Sequence, residues 1–237
     1  MSEVCQWLHE HLKQLSPIQF PFDVEQLPDN GIYFFYEEGE FWGHGKAEQR
    51  IVRIGTHRDG NFKDRISQHF LLDESKMDFN KDNQKPSDRS IFRKHIGRSL
   101  LCKRNDSYLK VWNISFTEKE KRKKYSHLRD IPKEKDLESE ITEMLRNRFS
   151  FRFIIRDNQV ERMGSEGLES SLIGTVSHCQ LCRPSTNWLG RYHPRRAVKE
   201  SGLWLVQHLK ANEMSEAEKD TVSQAIKATK EWISNRK

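Results

Sequence analysis

Four side chains in the first third of the sequence have types and spacings that could do chemistry together: Tyr33, Arg53, Arg65 and His69. A phenol can exchange a proton, and an imidazole can accept or pass one. A guanidinium presents a rigid fork of donors that matches phosphate or carboxylate oxygens. Such a set suits an anionic substrate better than an apolar one. A fifth candidate is Glu169, within ESSLIG. A carboxylate against an apolar helix flank is costly unless it is paired or bound to a cation. A salt bridge to an arginine and a metal site both meet that requirement, and Glu166 is the alternative acid one turn earlier.

The elements that must carry these residues can be read from periodicity. The run from Gly31 to Tyr36 and the run from Ile51 to Gly55 are β-branched and aromatic, with polar, glycine-rich residues between them. They read as paired strands of a hairpin with a long loop. Strict alternation puts Ile32 and Phe34 with Val52 and Ile54 on a buried side, and Tyr33, Phe35, Ile51 and Arg53 on the other. Asn61 and Asp64 look like the start of a capped helix running from Phe62 to Leu72. It buries Phe62, Ile66 and Phe70 and stacks Arg65 above His69, four residues on. A later helix, Ser165 to His178, is marked by Leu168, Leu172 and Val176.

This pattern resembles the GIY-YIG nuclease family. Gly31-Ile32-Tyr33, Arg53-Ile54-Gly55, Arg65 and His69, Glu169 and Asn187 (within STNWLG) follow one another as the family's motifs do. RSIFRKHIG from Arg89 and ESGLW from Glu200 are similar to a prokaryotic, restriction-endonuclease-like branch. One departure stands out, because Arg53 occupies a place where the family usually has tyrosine. The resemblance implies an α+β fold, with a small central antiparallel sheet flanked by helices, helical insertions and a C-terminal helix. It implies a divalent-metal-dependent DNA endonuclease, in restriction or repair. Tyr33 is then the general base, with His69 hydrogen-bonding to it or relaying its proton. Arg65 clamps the phosphate, and Glu169 holds Mg²⁺, for which Mn²⁺ can substitute. Arg53 contacts the scissile phosphate and poises Tyr33. Asn187 either orients or shields the site, unless it only caps a turn. His57, Arg58, Arg89, Arg93, Arg98 and Arg191 are expected to position the nucleic acid. Two other readings stay open, a non-catalytic nucleic-acid-binding module on a nuclease fold and a nuclease directed at RNA.

The rest of the chain is read as one domain over residues 1–237. Val4, Trp7, Leu8, Leu12 and Leu15 open it with an amphipathic helix, within an N-terminal extension of residues 1–30. Residues 73–90 read as a flexible insertion loop. Ile91 to Leu101 reads as a basic helix that buries Ile91, Phe92, Ile96 and Leu100 and turns Arg93, Lys94 and Arg98 outward. Tyr108 to Phe116 alternates like a strand, Glu118 to Lys124 reads as a solvated charged run, Leu137 to Phe149 as a helix and Phe151 to Asp157 as a strand. Residues 195–237 form a C-terminal helical region, with Ser215 and Glu218 as a capping box.

With 237 residues, 35% hydrophobic and 32% charged, the chain can bury one good core. No run reaches the length of a membrane span, and no signal pattern opens the chain, so a cytoplasmic location is expected. The first 40 residues balance at −7 against a total of +6, so the remainder carries +13, which suits a polyanion. Cutting both strands with one site per chain favours a homodimer or sequential nicking. Cys179 and Cys182 form a lone C-x-x-C near His178 and His193. Zinc needs four convergent ligands, so two free thiols are the expectation there.

Overall fold

The computed structural model describes residues 3–44 and 48–236; residues 45–47, at the tip of the expected hairpin loop, lie outside them. Four antiparallel strands make one sheet: β1 (Ile18–Gln19), β2 (Ile32–Phe41), β3 (Gln49–Gly55) and β4 (Phe149–Ile154), in the order β1-β4-β2-β3. The longer helices are α1 (Glu3–Leu12), α2 (Phe62–Phe70), α3 (Ile91–Lys103), α4 (Ile131–Arg148), α5 (Leu168–His178) and α6 (Glu216–Ser234). The fold is α+β, as expected. None of the described helices is long and apolar enough to cross a membrane.

Both faces of the sheet are buried, so it is the middle layer of three. Tyr33, Phe35, Val52, Phe151 and Phe153 face α2, α3 and α4, where Phe62, Ile66, Phe70, Phe92, Ile96, Ile141 and Leu145 complete the core. Ile32, Phe34, Tyr36, Ile51, Ile54 and Ile154 face Leu8 and Leu12 of α1, Leu172 and Val176 of α5, and Val222 and Ile226 of α6. This corrects the alternation expected for β3. Tyr33 pairs with Gly55 and Phe35 with Arg53, but Tyr36 pairs with Ile51, so the register slips at Val52. The bulge exchanges the faces of Ile51 and Val52, because one extra residue inverts every side chain beyond it. The Val52 carbonyl is satisfied from outside the sheet by the Trp204 amide, at 2.7 Å.

Helix α3 differs from its expectation in a way that bears on function. Arg93, Lys94 and Arg98 are buried rather than outward. Arg93 pairs with Glu138 of α4 at 2.8 Å and donates to the His69 carbonyl and to Thr142. Lys94 shares Asp88 with the buried Lys85, and Arg98 donates to Asn113. Tyr108 to Phe116 is not a strand. It contains a helical turn, Leu109–Trp112, whose Trp112 indole donates to the Lys94 carbonyl. That indole lies against Gly97, where a Cβ would come within 2.4 Å of it. Residues 73–90 hold a 3-10 turn at Glu74–Met77 and a short helix at Pro86–Arg89. Arg129 ties them down through the Asn80, Lys81 and Asn83 carbonyls. The C-terminal helix has its capping box, with Ser215 and Glu218 bonded reciprocally.

Candidate active site

Tyr33 projects from β2 beneath α2, and its hydroxyl lies 3.1 Å from His69 Nε2. Room for the phenol depends on Gly55, directly across the ladder, since a Cβ there would sit 2.3 Å from the Tyr33 hydroxyl oxygen. His69 is fully buried, and its Nδ1 lies 2.8 Å from the Ser90 hydroxyl. Ser90 is also the N-cap of α3, accepting from the Arg93 amide. A chain of hydrogen bonds therefore runs from a helix cap through an imidazole to a phenol. Burial and the cations Arg65, Arg53 and Arg93 hold the His69 imidazolium well below the usual histidine range. The ring is neutral at neutral pH. It serves as a hydrogen-bonding partner of Tyr33 and is a poor place to store a proton.

Two guanidinium groups flank this chain. Arg53 comes from β3, on the same face as Tyr33, and is anchored by a hydrogen bond from Nη1 to the Trp204 carbonyl and by the Phe92 ring, 5.0 Å away. Burial makes its charge costlier, and Tyr33 is the first group to offset that. Arg65 reaches across from α2 to the Arg89 carbonyl at 2.8 Å. Among the described residues, Arg53 Nε, Arg65 Nε and His57 Nδ1 are buried and have no hydrogen-bond partner. Buried donors left unpaired are rare and costly, so the two guanidinium Nε–H groups, with the His57 ring close to Arg65, mark a place prepared for an acceptor.

The carboxylate comes from the opposite layer. Glu169 sits in the first turn of α5, and its Oε1 accepts the Thr56 amide, one residue beyond Gly55, at 3.2 Å. Desolvation pushes its carboxyl up to about 7, against the pull of that amide and of Arg53, Arg65 and Arg162. Its second oxygen accepts no hydrogen bond among the described residues. An oxygen donor, partly desolvated and half satisfied, fits a hard divalent cation that keeps most of its waters. The loop that joins the two layers is held by Arg162, which is fully buried. It donates to the Thr56 hydroxyl, the His57 carbonyl and Asp59, each within 2.9 Å.

The other expected site residues divide into three groups. His57 and the exposed Arg58 lie on the loop beside Glu169, and Arg89 is exposed next to the Arg65 contact. Arg191 is exposed but bends back onto the Ser185 and Pro184 carbonyls of its own loop. Asn187 lies exposed in a turn and makes no hydrogen bond among the described residues, so it stands outside the bonded cluster. Arg93 and Arg98 are corrected, since each is buried and committed to protein acceptors, so neither faces a strand of nucleic acid. Glu166 is exposed and precedes α5, leaving Glu169 as the acid at the site.

Sequence reasoning missed three positioning residues. Ser90 could have been found as the serine before an apolar-periodic helix. Arg162 and Trp204 could not, because their partners are 106 and 151 residues away. The segments STNWLG and ESGLW meet where the Trp188 and Trp204 rings lie tilted against each other, 4.9 Å between centroids, and both indoles donate at 3.0 Å to the buried Glu37 of β2. Those segments thus serve to fix the Arg53 end of the hairpin. A family model described as a GIY-YIG domain matches residues 3–232. No curated protein and no solved structure matches the chain.

Proposed function

Because the chain belongs to the GIY-YIG family, whose members are endonucleases, we propose that it is a divalent-metal-dependent DNA endonuclease acting through Tyr33, Arg53, Arg65, His69 and Glu169. The observation that carries this reading is the pair of unpartnered guanidinium Nε–H groups, Arg53 and Arg65, beside the Tyr33–His69–Ser90 chain. A phosphodiester supplies the anionic oxygens those donors lack, and it needs a proton acceptor at the attacking water.

The roles follow from the contacts. In its phenolate form the Tyr33 oxygen takes the proton of the attacking water and becomes the neutral phenol. With the Ser90 hydroxyl donating to His69 Nδ1, Nε2–H donates to that oxygen and holds it in place. Arg53 and Arg65 bind the non-bridging oxygens, where charge grows as the bond breaks. Glu169 would hold a magnesium ion, or manganese in its place, and the ion supplies positive charge at the leaving oxygen. Because burial pushes the Glu169 carboxyl up to about 7, a cation there meets growing competition from a proton as pH falls. His57, Arg58 and Arg89 lie where an incoming strand would pass, within a body whose net charge is strongly positive.

The test is to incubate the protein with supercoiled plasmid, with linear duplex and with a structured RNA, each with magnesium or with excess chelator. Nicking or cutting of the DNA only when metal is present supports the reading. Preferential cleavage of the RNA would redirect it to an RNA nuclease. Binding with no cleavage of either polymer would leave a recognition module.

A further inference from the structure

We propose that Cys5, His44, Cys179 and Cys182 bind a structural Zn²⁺ that clasps α1, the outer end of the hairpin and the C-terminal end of α5 together. The four residues come from three distant parts of the chain, yet their ligand atoms all lie within 4.8 Å of one another. Cys5 Sγ is 3.7 Å from Cys182 Sγ, and His44 Nε2 is 3.2 Å from Cys179 Sγ. A disulfide needs its sulfurs at about 2.0 Å, so these thiols are not bridged. Two sulfurs each about 2.3 Å from one tetrahedral zinc lie about 3.8 Å apart, close to the 3.7 Å between Cys5 and Cys182. The lone C-x-x-C therefore finds the two further ligands that zinc requires. They are Cys5 and His44, and neither His178, which is exposed, nor His193, which bonds His95, is among them.

The surroundings are those of a closed structural site. The three cysteines are buried, His44 is half-buried, and Trp42 and Leu181 pack around them. Three thiolates and one imidazole select a soft or borderline cation over magnesium. The backbone amides of Leu181 and Cys182 face the Cys179 sulfur, and that of Gly43 faces the Cys182 sulfur, as an outer shell of donors to thiolate. Gly43 allows this close seating, because a Cβ there would lie 2.2 Å from the Leu181 carbonyl oxygen. The neighbouring His9 is not a ligand. Its Nε2 accepts the Ile51 amide, so its Nδ1 carries the proton and donates to the Cys5 carbonyl.

The location gives the clasp a purpose. Helix α5 carries Glu169 in its first turn and meets Cys179 at its last, while the hairpin carries Tyr33 and Arg53 and bears His44 beyond β2. Joining residues 5 and 182 closes a very long loop, and the free energy of zinc binding becomes free energy of folding. The metal would thus hold the carboxylate layer in register with the phenol layer without touching the reaction.

Elemental analysis of the whole chain, purified without chelator, tests this directly. The expected content is about one zinc per chain, lost in the Cys179→Ser/Cys182→Ser double variant. That variant could fail to fold, so the wild-type protein is also unfolded, stripped and refolded with Co²⁺ alone. Intense sulfur-to-cobalt charge-transfer absorption with tetrahedral ligand-field bands is expected, weakened in His44→Ala. A folded wild-type chain with no bound zinc, or one that refolds without those bands, would overturn the proposal. So would all four cysteines reacting with a thiol reagent in the native state. None of these readouts depends on nuclease activity.

Discussion

Tyr33 has no slack around its oxygen, and substitutions there and at its neighbours should separate position from chemistry. Tyr33→Phe keeps the ring but removes the proton acceptor, so cleavage should fall by about a hundredfold or more, and the unfolding midpoint should drop only by the cost of leaving the buried His69 Nε2–H unpaired, about 1–3 kcal/mol. Gly55→Ala should do both kinds of damage, because the new methyl would sit 2.3 Å from the phenolic oxygen. Overpacking of that kind costs about 1–3 kcal/mol and displaces the oxygen, so both the unfolding midpoint and the cleavage rate should drop. Arg53→Gln should slow cleavage at saturating DNA, where loss of affinity alone is hidden; an unchanged rate would remove Arg53 from the site. At this scale the sequence was informative about types. The i, i+4 pair Arg65 and His69, and the tyrosine on the facing strand, meet as spacing implied. Ser90 was less legible, because a capping serine does not reveal which side chain from another helix will use its second hydrogen bond.

The elements show why some expectations about exposure failed. Periodicity places apolar residues well, but the burial of a charge depends on where its counter-charge comes from. Arg93 and Glu138 lie 45 residues apart in sequence and are both fully buried on the α3–α4 contact, a pairing that no local window contains. Removing one partner of such a pair strands the other in low dielectric. Glu138→Gln should therefore destabilise by about 3–5 kcal/mol, read as a lower denaturant midpoint, whereas Arg191→Gln on the surface loop should leave stability unchanged. The hairpin gives the same lesson for β structure. One bulge at Val52 moved Ile51 to the α5 side, and the Val52 carbonyl there is taken up by the Trp204 amide, 152 residues further along. Tyr108 to Phe116 alternated well enough for a strand, but Gly97 offered Trp112 a seat on α3, and the segment coiled to reach it.

At the scale of the whole molecule, two layers that share almost no local sequence are brought together around one cluster of polar side chains, and four histidines are buried in the packing. His9 and His193 are depressed to about 4, His95 to about 2, and His69 well below 6.5, chiefly by desolvation. For a histidine held neutral in the fold, the unfolded chain binds the extra proton below about pH 6.5, so stability is lost as pH falls, by about 1.4 kcal/mol per pH unit for each such group. Glu169 and Glu37, both raised, oppose this, because the folded chain then holds protons that the unfolded chain releases. Four groups outweigh two, so the denaturant midpoint should decline from pH 6.5 to pH 5, and His193→Gln should make that decline shallower. A midpoint that does not move over this range would contradict the burial of neutral histidines. The central claim, that Glu169 from one layer completes a phosphodiester-cleaving site begun by Tyr33 and the two arginines on the other, is tested most directly by Glu169→Ala. Cleavage of plasmid with saturating magnesium should fall by at least about a hundredfold, while affinity for the same DNA stays within about threefold of the wild type, since binding rests on the basic surface. Wild-type cleavage rates in a folded Glu169→Ala protein would contradict the account.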